Sequence, residues 1–100
     1  MYVIANNTDG PVKLGISHDP HSRTKQLQTG HVDKLEVFHQ EPVDKSKIKI
    51  FERLLHRDNR HYRIRGEWFN MSVKDAICYI QYTIIRYDLL SIDELQRLFK

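Results

Sequence analysis

Two short apolar runs rich in β-branched residues open the chain and predict a pair of β-strands. They cover residues 2–5 and 12–16, and both have the length and composition typical of strands. Between them, residues 6–11 read Asn-Asn-Thr-Asp-Gly-Pro, a dense cluster of turn-forming residues. This arrangement predicts an antiparallel hairpin.

A helix and a third strand are predicted after the hairpin. Asp19 is a good N-cap, and Pro20 suits the first helical position because its ring presets the helical φ angle. We expect this helix to run to about Gln28 and to end at Gly30, a residue that favours the C-terminal cap. Residues 34–39 then alternate between apolar and polar side chains, which predicts a third strand.

Helical periodicity dominates the second half of the chain. Within a predicted helix over residues 45–62, capped by Asp44, the apolar residues Ile48, Phe51 and Leu55 fall on one face. A second apolar stripe follows over residues 72–87. This pattern predicts two amphipathic helices that bury their apolar faces against the sheet.

Capping signals and a connector complete the secondary-structure prediction. Ser72 and Ser91 are each followed three residues later by an acidic residue, as in a capping box, and the second predicts a short helix over residues 92–99. Residues 63–70 are predicted to be a non-helical connector, with Trp68 and Phe69 inserted in the core. The expected fold is α+β: one domain over residues 1–100 with a three-stranded antiparallel sheet flanked by helices.

Composition narrows the class of protein. The 100 residues suffice for one domain, and 40% hydrophobic with 29% charged residues is typical of a globular chain. A net charge of +3 leans only mildly toward anionic partners. Cys78 stands alone, so no intrachain disulfide can form, and its apolar neighbours predict a core position. Without a signal peptide or an apolar run of about 18 residues, we expect a cytoplasmic protein with no membrane partner.

Glu52 is the polar residue whose predicted position is most suggestive of chemistry. At about 100° per residue, Glu52 lies about 40° beyond Ile48, and His56 about 40° further. Glu52 is thus expected at the edge of the buried face, where a carboxylate near cations can bind a hard divalent ion. His56, one turn later, is either a proton carrier or a helix residue without a chemical role.

Four residues in order resemble the GIY-YIG nuclease superfamily, in the phage and bacterial branch with a Lys-Ile-Gly-type second motif. Tyr2 matches the tyrosine that ends the first motif, and Gly15 the glycine that ends the second. Arg23 matches the family arginine eight residues after that glycine, and Glu52 matches the glutamate of a later helix. The resemblance covers about residues 1–75 and also rests on the phrases at 12–17, 27–30, 52–56 and 66–69.

The resemblance implies a metal-dependent DNA endonuclease that hydrolyses phosphodiester bonds with Mg²⁺ (or Mn²⁺). Tyr2 would orient or activate water, Lys13 and Arg23 would hold the scissile phosphate, and Glu52 would bind the metal. Asn70 is matched to the late asparagine of the family. Lys13 stands where the better-known second motif has a tyrosine, which leaves the identity of the general base open.

A run of arginines follows the predicted Glu52 helix and has two interpretations. Arg57, Arg60, Arg63 and Arg65 could track a DNA backbone, or they could form a solvated helix end favourable to the helix dipole. No further DNA-binding module is evident, so specificity would come from a homodimer or a partner protein, or would be absent. Two alternatives stay open: a catalytically inactive nucleic-acid-binding module, and a phage or host protein–protein adaptor.

Overall fold

The predicted hairpin forms the centre of the sheet in a computed structural model that describes residues 1–99. Strand β1 (Tyr2–Ala5) pairs antiparallel with strand β2 (Val12–Gly15), and this pairing sets Tyr2 opposite Gly15. The connecting turn depends on Gly10, whose φ is +87° and whose position leaves no room for a Cβ beside the Met71 carbonyl oxygen.

The sheet has five strands, so the prediction of three is wrong. Strand β3 (Glu36–Gln40) pairs with β1, while β4 (Arg63–Arg65) and β5 (Trp68–Phe69) extend the sheet beyond β2 in the order β3-β1-β2-β5-β4. Residues 63–70 were predicted to be a connector because strands of three and two residues are too short to show a period-two pattern. Gly66, with a φ of +54°, makes the turn between them.

The first two helices position residues at one end of the sheet. Helix α1 (Pro20–Gln28) begins as predicted, because the Asp19 side chain accepts from the Ser22 amide at 3.2 Å. Helix α2 (Ile48–Asp58) begins later than predicted, since Asp44 caps a preceding turn instead of the helix itself. A 3₁₀ helix over Arg60–Tyr62 replaces the last predicted turn of α2.

The last two helices, α3 (Val73–Tyr87) and α4 (Ile92–Arg97), have the predicted N-caps. The Ser72 side chain accepts from the Asp75 amide, and Ser91 forms a reciprocal capping box with Glu94. Cys78 is exposed, so its predicted core position is wrong. It lies about 200° around α3 from the buried Ile80, on the opposite face of the helix.

The sheet separates two apolar layers. One face, which includes Val3 and Leu14, packs against Phe51 of α2 and Ile80 of α3. The other face buries Tyr2, Ile4 and Leu35, with Leu27 of α1 packed against them. Helices α1 and α2 therefore cover opposite faces of the same hairpin. Among residues 1–99, no helix is both long and apolar enough to cross a bilayer.

Candidate active site

The candidate site lies at the end of β2, where the absent side chain of Gly15 leaves room for the Tyr2 ring. Tyr2 is fully buried on the α1 face of the sheet, directly opposite Gly15. A Cβ on Gly15 would lie 2.5 Å from the Tyr2 hydroxyl oxygen and 2.9 Å from Glu67 Oε2. Such separations are sterically forbidden, so glycine is what allows the tyrosine hydroxyl to reach Glu67.

Glu67 links two residues that the sequence had singled out. The Tyr2 hydroxyl donates to Glu67 Oε2 at 3.2 Å, and Lys13 Nζ lies 3.5 Å from the same oxygen. The Glu67 carbonyl also accepts from the Leu14 amide at 2.9 Å, which fixes this backbone beside β2. Glu67 was not a predicted site residue. It lies in the phrase at 66–69 that supports the family resemblance, but its contact with β2 could be predicted only with β5 as the neighbour of β2.

Lys13 is a largely buried cation. Its side chain is 10% exposed, and it is bounded by the Glu67 carboxylate and by the ring of Trp68, whose centroid lies 5.5 Å from Nζ. A carboxylate and an aromatic face both favour a charged ammonium group. Lys13 therefore presents a positive charge in a fixed place, next to the tyrosine hydroxyl.

Arg23 brings a second cation to Tyr2 from α1. Burial raises the pKa of Tyr2 to about 12, against an opposing effect of the neighbouring Arg23 guanidinium. The contact with the Tyr2 hydroxyl raises the pKa of Arg23. At neutral pH the tyrosine thus stays protonated and the arginine stays charged.

Glu52 and His56 reach the same strand end from α2. Glu52 Oε2 is buried and has no hydrogen-bond partner among residues 1–99. Burial raises the pKa of Glu52 most, the negative charge of Glu67 adds to this, and His56 opposes it. His56 donates from Nε2 to the Leu14 carbonyl oxygen at 2.9 Å, and its ring packs on Phe69. The α2 helix thus holds a carboxylate and an imidazole against β2.

The structure brings five of the six predicted chemical residues to one end of the hairpin, where Glu67 joins them; these five are Tyr2, Lys13, Arg23, Glu52 and His56. It does not bring Asn70 to them. Asn70 is exposed and follows β5 at the end away from Glu67, and its backbone amide donates to the Tyr62 carbonyl at 2.7 Å.

Three of the four predicted DNA-contacting arginines donate to backbone carbonyls. Arg57 donates to Leu98 at 2.7 Å and lies about 140° around α2 from Glu52. Arg60 and Arg63 donate to the carbonyls of Arg57 and Gly66 at 3.1 and 2.8 Å. Arg65 is exposed on β4. Their role at a DNA backbone stays a prediction.

The donor set at Glu52 fits a hard divalent cation with few protein ligands. Among residues 1–99 no three His, Cys, Asp or Glu side chains come together to hold a metal ion. Mg²⁺ is commonly held by one or two carboxylates, with water and substrate phosphates as its other ligands. The unpartnered Oε2 of Glu52, with the Glu67 charge close enough to raise its pKa, suits that kind of site.

Comparison with protein families gives one assignment for most of the chain. Residues 1–82 match the T5orf172 domain, and this stretch contains the hairpin, α1, α2 and the whole of the candidate site. No curated protein and no solved structure matches the chain. The extent of the family match shows that this chain belongs to the T5orf172 domain family.

Proposed function

We propose that the chain is a metal-dependent DNA endonuclease of the GIY-YIG type. The observation that carries this proposal is the convergence of Tyr2, Lys13, Arg23 and Glu67 beside the unpartnered carboxylate oxygen of Glu52. The T5orf172 domain is phage-associated and related to nuclease and GIY-YIG-like folds, which supports the same assignment.

Two cations provide the positive charge that a scissile phosphate requires. Lys13 is held by Glu67 and Trp68, and Arg23 lies against Tyr2, so both charges are ordered before a substrate arrives. Charges fixed in advance stabilise a transition state without the cost of reorganisation. We therefore assign Lys13 and Arg23 to binding the phosphate and to stabilising the charge that develops on it.

Tyr2 is better suited to orienting water than to deprotonating it. A pKa of about 12 keeps its hydroxyl protonated at neutral pH, and that hydroxyl already donates to Glu67. Glu67, whose carboxylate accepts from that hydroxyl, is then the group placed to accept a proton from an attacking water, and Lys13 could do so only in its neutral form. This distribution of roles differs from the expectation that Tyr2 activates the water.

Glu52 is the residue that would hold the metal ion. The ion would supply positive charge to the oxygen that leaves when the phosphodiester bond breaks. His56 is anchored to the Leu14 carbonyl one turn along the same helix, and its protonated form lowers the pKa of Glu52. In this proposal His56 helps to keep Glu52 ionised, which is the form that binds a cation.

Nicking of a supercoiled plasmid tests the proposed function. The protein should convert the plasmid to open-circle or linear forms in Mg²⁺ or Mn²⁺, and excess EDTA should stop the reaction. Loss of cleavage in the Glu52→Gln variant separates the activity of this chain from that of a contaminating nuclease. Binding of the plasmid without any cleavage in either metal would instead support the inactive nucleic-acid-binding module.

Arg23→Ala is expected to lower turnover at least about tenfold while changing DNA affinity by less than threefold, because its charge acts mainly on the transition state. Lys25→Ala is the matched control, since Lys25 is an exposed cation of the same helix. Single-turnover cleavage and binding assays on one duplex measure the two effects. Equal losses of turnover in both variants would refute the assignment of Arg23.

Lys13→Arg is expected to keep measurable cleavage, whereas Lys13→Met should have none above background. Arginine preserves the positive charge near the phosphate but cannot act as a base at neutral pH. The pH–rate profiles of the parent and Lys13→Arg proteins measure the difference. If both variants fold, bind DNA and are equally inactive, Lys13 is the proton acceptor and the charge-only role is wrong.

An exposed apolar face on α3 favours the adaptor alternative. Tyr82 and Ile85 are 58% and 77% exposed and lie three residues apart on one side of α3, and Leu89, which follows the end of the helix, is 94% exposed. Apolar patches of this kind often mark protein contacts. A protein that neither binds DNA at low salt nor cleaves it would support the adaptor over the endonuclease.

A further inference from the structure

A groove of about 460 Å³ lies next to the candidate active site, and nothing in the proposed reaction uses it. Trp68 belongs to both places, because it lines the groove and also lies beside Lys13. The groove opens between the turn of the hairpin, which is at the opposite end of β2 from Gly15, the segment before β3, and β4. Its main lining residues are Asn6, His31, Asp33, Ile64, Arg65 and Trp68.

The walls of the groove suit a flat aromatic ring. Trp68 and His31 have ring centroids 5.3 Å apart at an interplanar angle of 44°, so together they form an aromatic surface. Ile64 adds an apolar side chain that is 56% exposed despite its position in the sheet. Bases stack on surfaces of this kind in proteins that bind single strands.

Polar groups at the groove suit the edge and the phosphate of a nucleotide. The Asn6 amide can both donate and accept hydrogen bonds, and the Asp33 carboxylate can accept them. Arg65 adds a cation that can stack on a base or bind a phosphate. The combination of aromatic, amide and guanidinium groups is complementary to a nucleotide and differs from a purely apolar groove.

The register of the sheet connects the groove to the phosphate site. Trp68 is opposite Lys13 on β2 and is paired with Arg65 on β4. In the sheet, Trp68 thus lies between Lys13 of the candidate site and Arg65 of the groove. A DNA strand that places one phosphate at Lys13 would bring the neighbouring nucleotide to the Trp68 ring.

We propose that this groove binds an unpaired nucleobase of the strand whose phosphate enters the site at Lys13. The inference rests on the proposed nuclease function and specifies its substrate class: DNA with an unpaired nucleotide next to the scissile bond. A base inside a duplex has both faces stacked, so it must leave the stack to contact Trp68 and His31. Intact duplex would then be the poorer ligand.

Trp68 makes a direct test available, because it is the only tryptophan in the sequence. The parent protein in EDTA is titrated with a ten-nucleotide thymidine strand, an abasic strand of equal length and charge, and a duplex. We expect the thymidine strand to quench Trp68 fluorescence and to bind at least about fivefold more tightly than the abasic strand, given the usual strength of base stacking. A uridine RNA strand that quenches equally would also support recognition of the base.

Substitutions in the groove provide the matched comparison. His31→Ala and Ile64→Ala should each weaken binding of the thymidine strand about threefold or more and leave binding of the abasic strand unchanged. Val32→Ala is the control, because Val32 is adjacent in sequence, fully exposed and absent from the groove lining. Equal quenching by thymidine and abasic strands, or no effect of either groove substitution, would overturn the proposal.

Plasmid cleavage is measured separately, so that the two proposals can fail independently. Cleavage that requires Glu52 but comes without base-dependent quenching would reject the nucleobase groove and retain the endonuclease. Base-dependent quenching that is sensitive to His31 and Ile64, with no cleavage in Mg²⁺ or Mn²⁺, would support the groove and reject the endonuclease.

Discussion

Glu52→Gln is expected to lower DNA cleavage at least about a hundredfold and, at the same time, to stabilise the metal-free protein. The loss of activity follows from the several kcal/mol that a catalytic metal contributes, since the neutral amide is a poor ligand for Mg²⁺. The gain in stability follows from removing a negative charge whose Oε2 is buried without a partner. The amide of glutamine keeps a polar atom at this position, so the gain comes from removing the charge alone and is expected to be less than about 1 kcal/mol.

The size of this stability effect depends on pH. Burial and the charge of Glu67 raise the pKa of Glu52, so the folded protein holds the proton more tightly than the unfolded chain does. The stabilising effect of that proton is present below the unfolded pKa and is lost as the pH rises through the higher, folded pKa. The advantage of Glu52→Gln should therefore be greatest at neutral pH and shrink below about pH 4. Urea unfolding at pH 7 and pH 4 measures it.

Glu36→Gln is the matched control for charge removal, because Glu36 is an exposed carboxylate that pairs only loosely with Lys34. Its cleavage activity should equal that of the parent. Mg²⁺ should raise the melting temperature of the parent and of Glu36→Gln but not that of Glu52→Gln, since ligands stabilise only the states that bind them. A Glu52→Gln protein that cleaves DNA as well as the parent would show that the metal assignment is wrong.

Local signals account for the parts of the fold that the sequence predicted well. The hairpin follows from two β-branched runs around a turn, and α1 follows from the Asp19 cap and Pro20. The outer strands β4 and β5 have no comparable signal, because they are very short and depend on pairing with β2, far away in sequence. Long-range pairing, unlike a helical period, leaves little trace in a single sequence.

The residues of the candidate site also divide into those that the sequence predicted and one that it did not. Tyr2, Lys13, Arg23 and Glu52 were found from their order along the chain, and the structure brings them together. Glu67 was missed because its contacts arise only when β5 is aligned beside β2. The turn before a short strand that could not be predicted therefore supplies the carboxylate that organises the site.

Gly15→Ala is expected to destabilise the fold by about 1–3 kcal/mol, the usual cost of overpacking, and to reduce cleavage strongly. Where the backbone accepts alanine, replacing glycine normally stabilises a protein by about 0.4–1 kcal/mol, because alanine lowers the conformational entropy of the unfolded chain. Gly15 has no positive φ, so its backbone accepts alanine. The new Cβ would nevertheless lie 2.5 Å from the Tyr2 hydroxyl oxygen, 2.7 Å from Cζ and 2.9 Å from Glu67 Oε2.

Two further substitutions test whether the clash with Tyr2 causes the loss of stability. Gly30→Ala is the control, because a Cβ there meets no atom within 4 Å, and it should be as stable as the parent or slightly more so. Tyr2→Phe removes the nearest clashing atom but leaves Cζ, so it should recover part of the stability lost in Gly15→Ala without restoring cleavage. Chemical denaturation of the single and double variants gives the interaction energy between positions 2 and 15. A Gly15→Ala protein as stable as Gly30→Ala would mean that the ring of Tyr2 does not lie against β2, and the hydrogen bond from its hydroxyl to Glu67 would lose its structural basis.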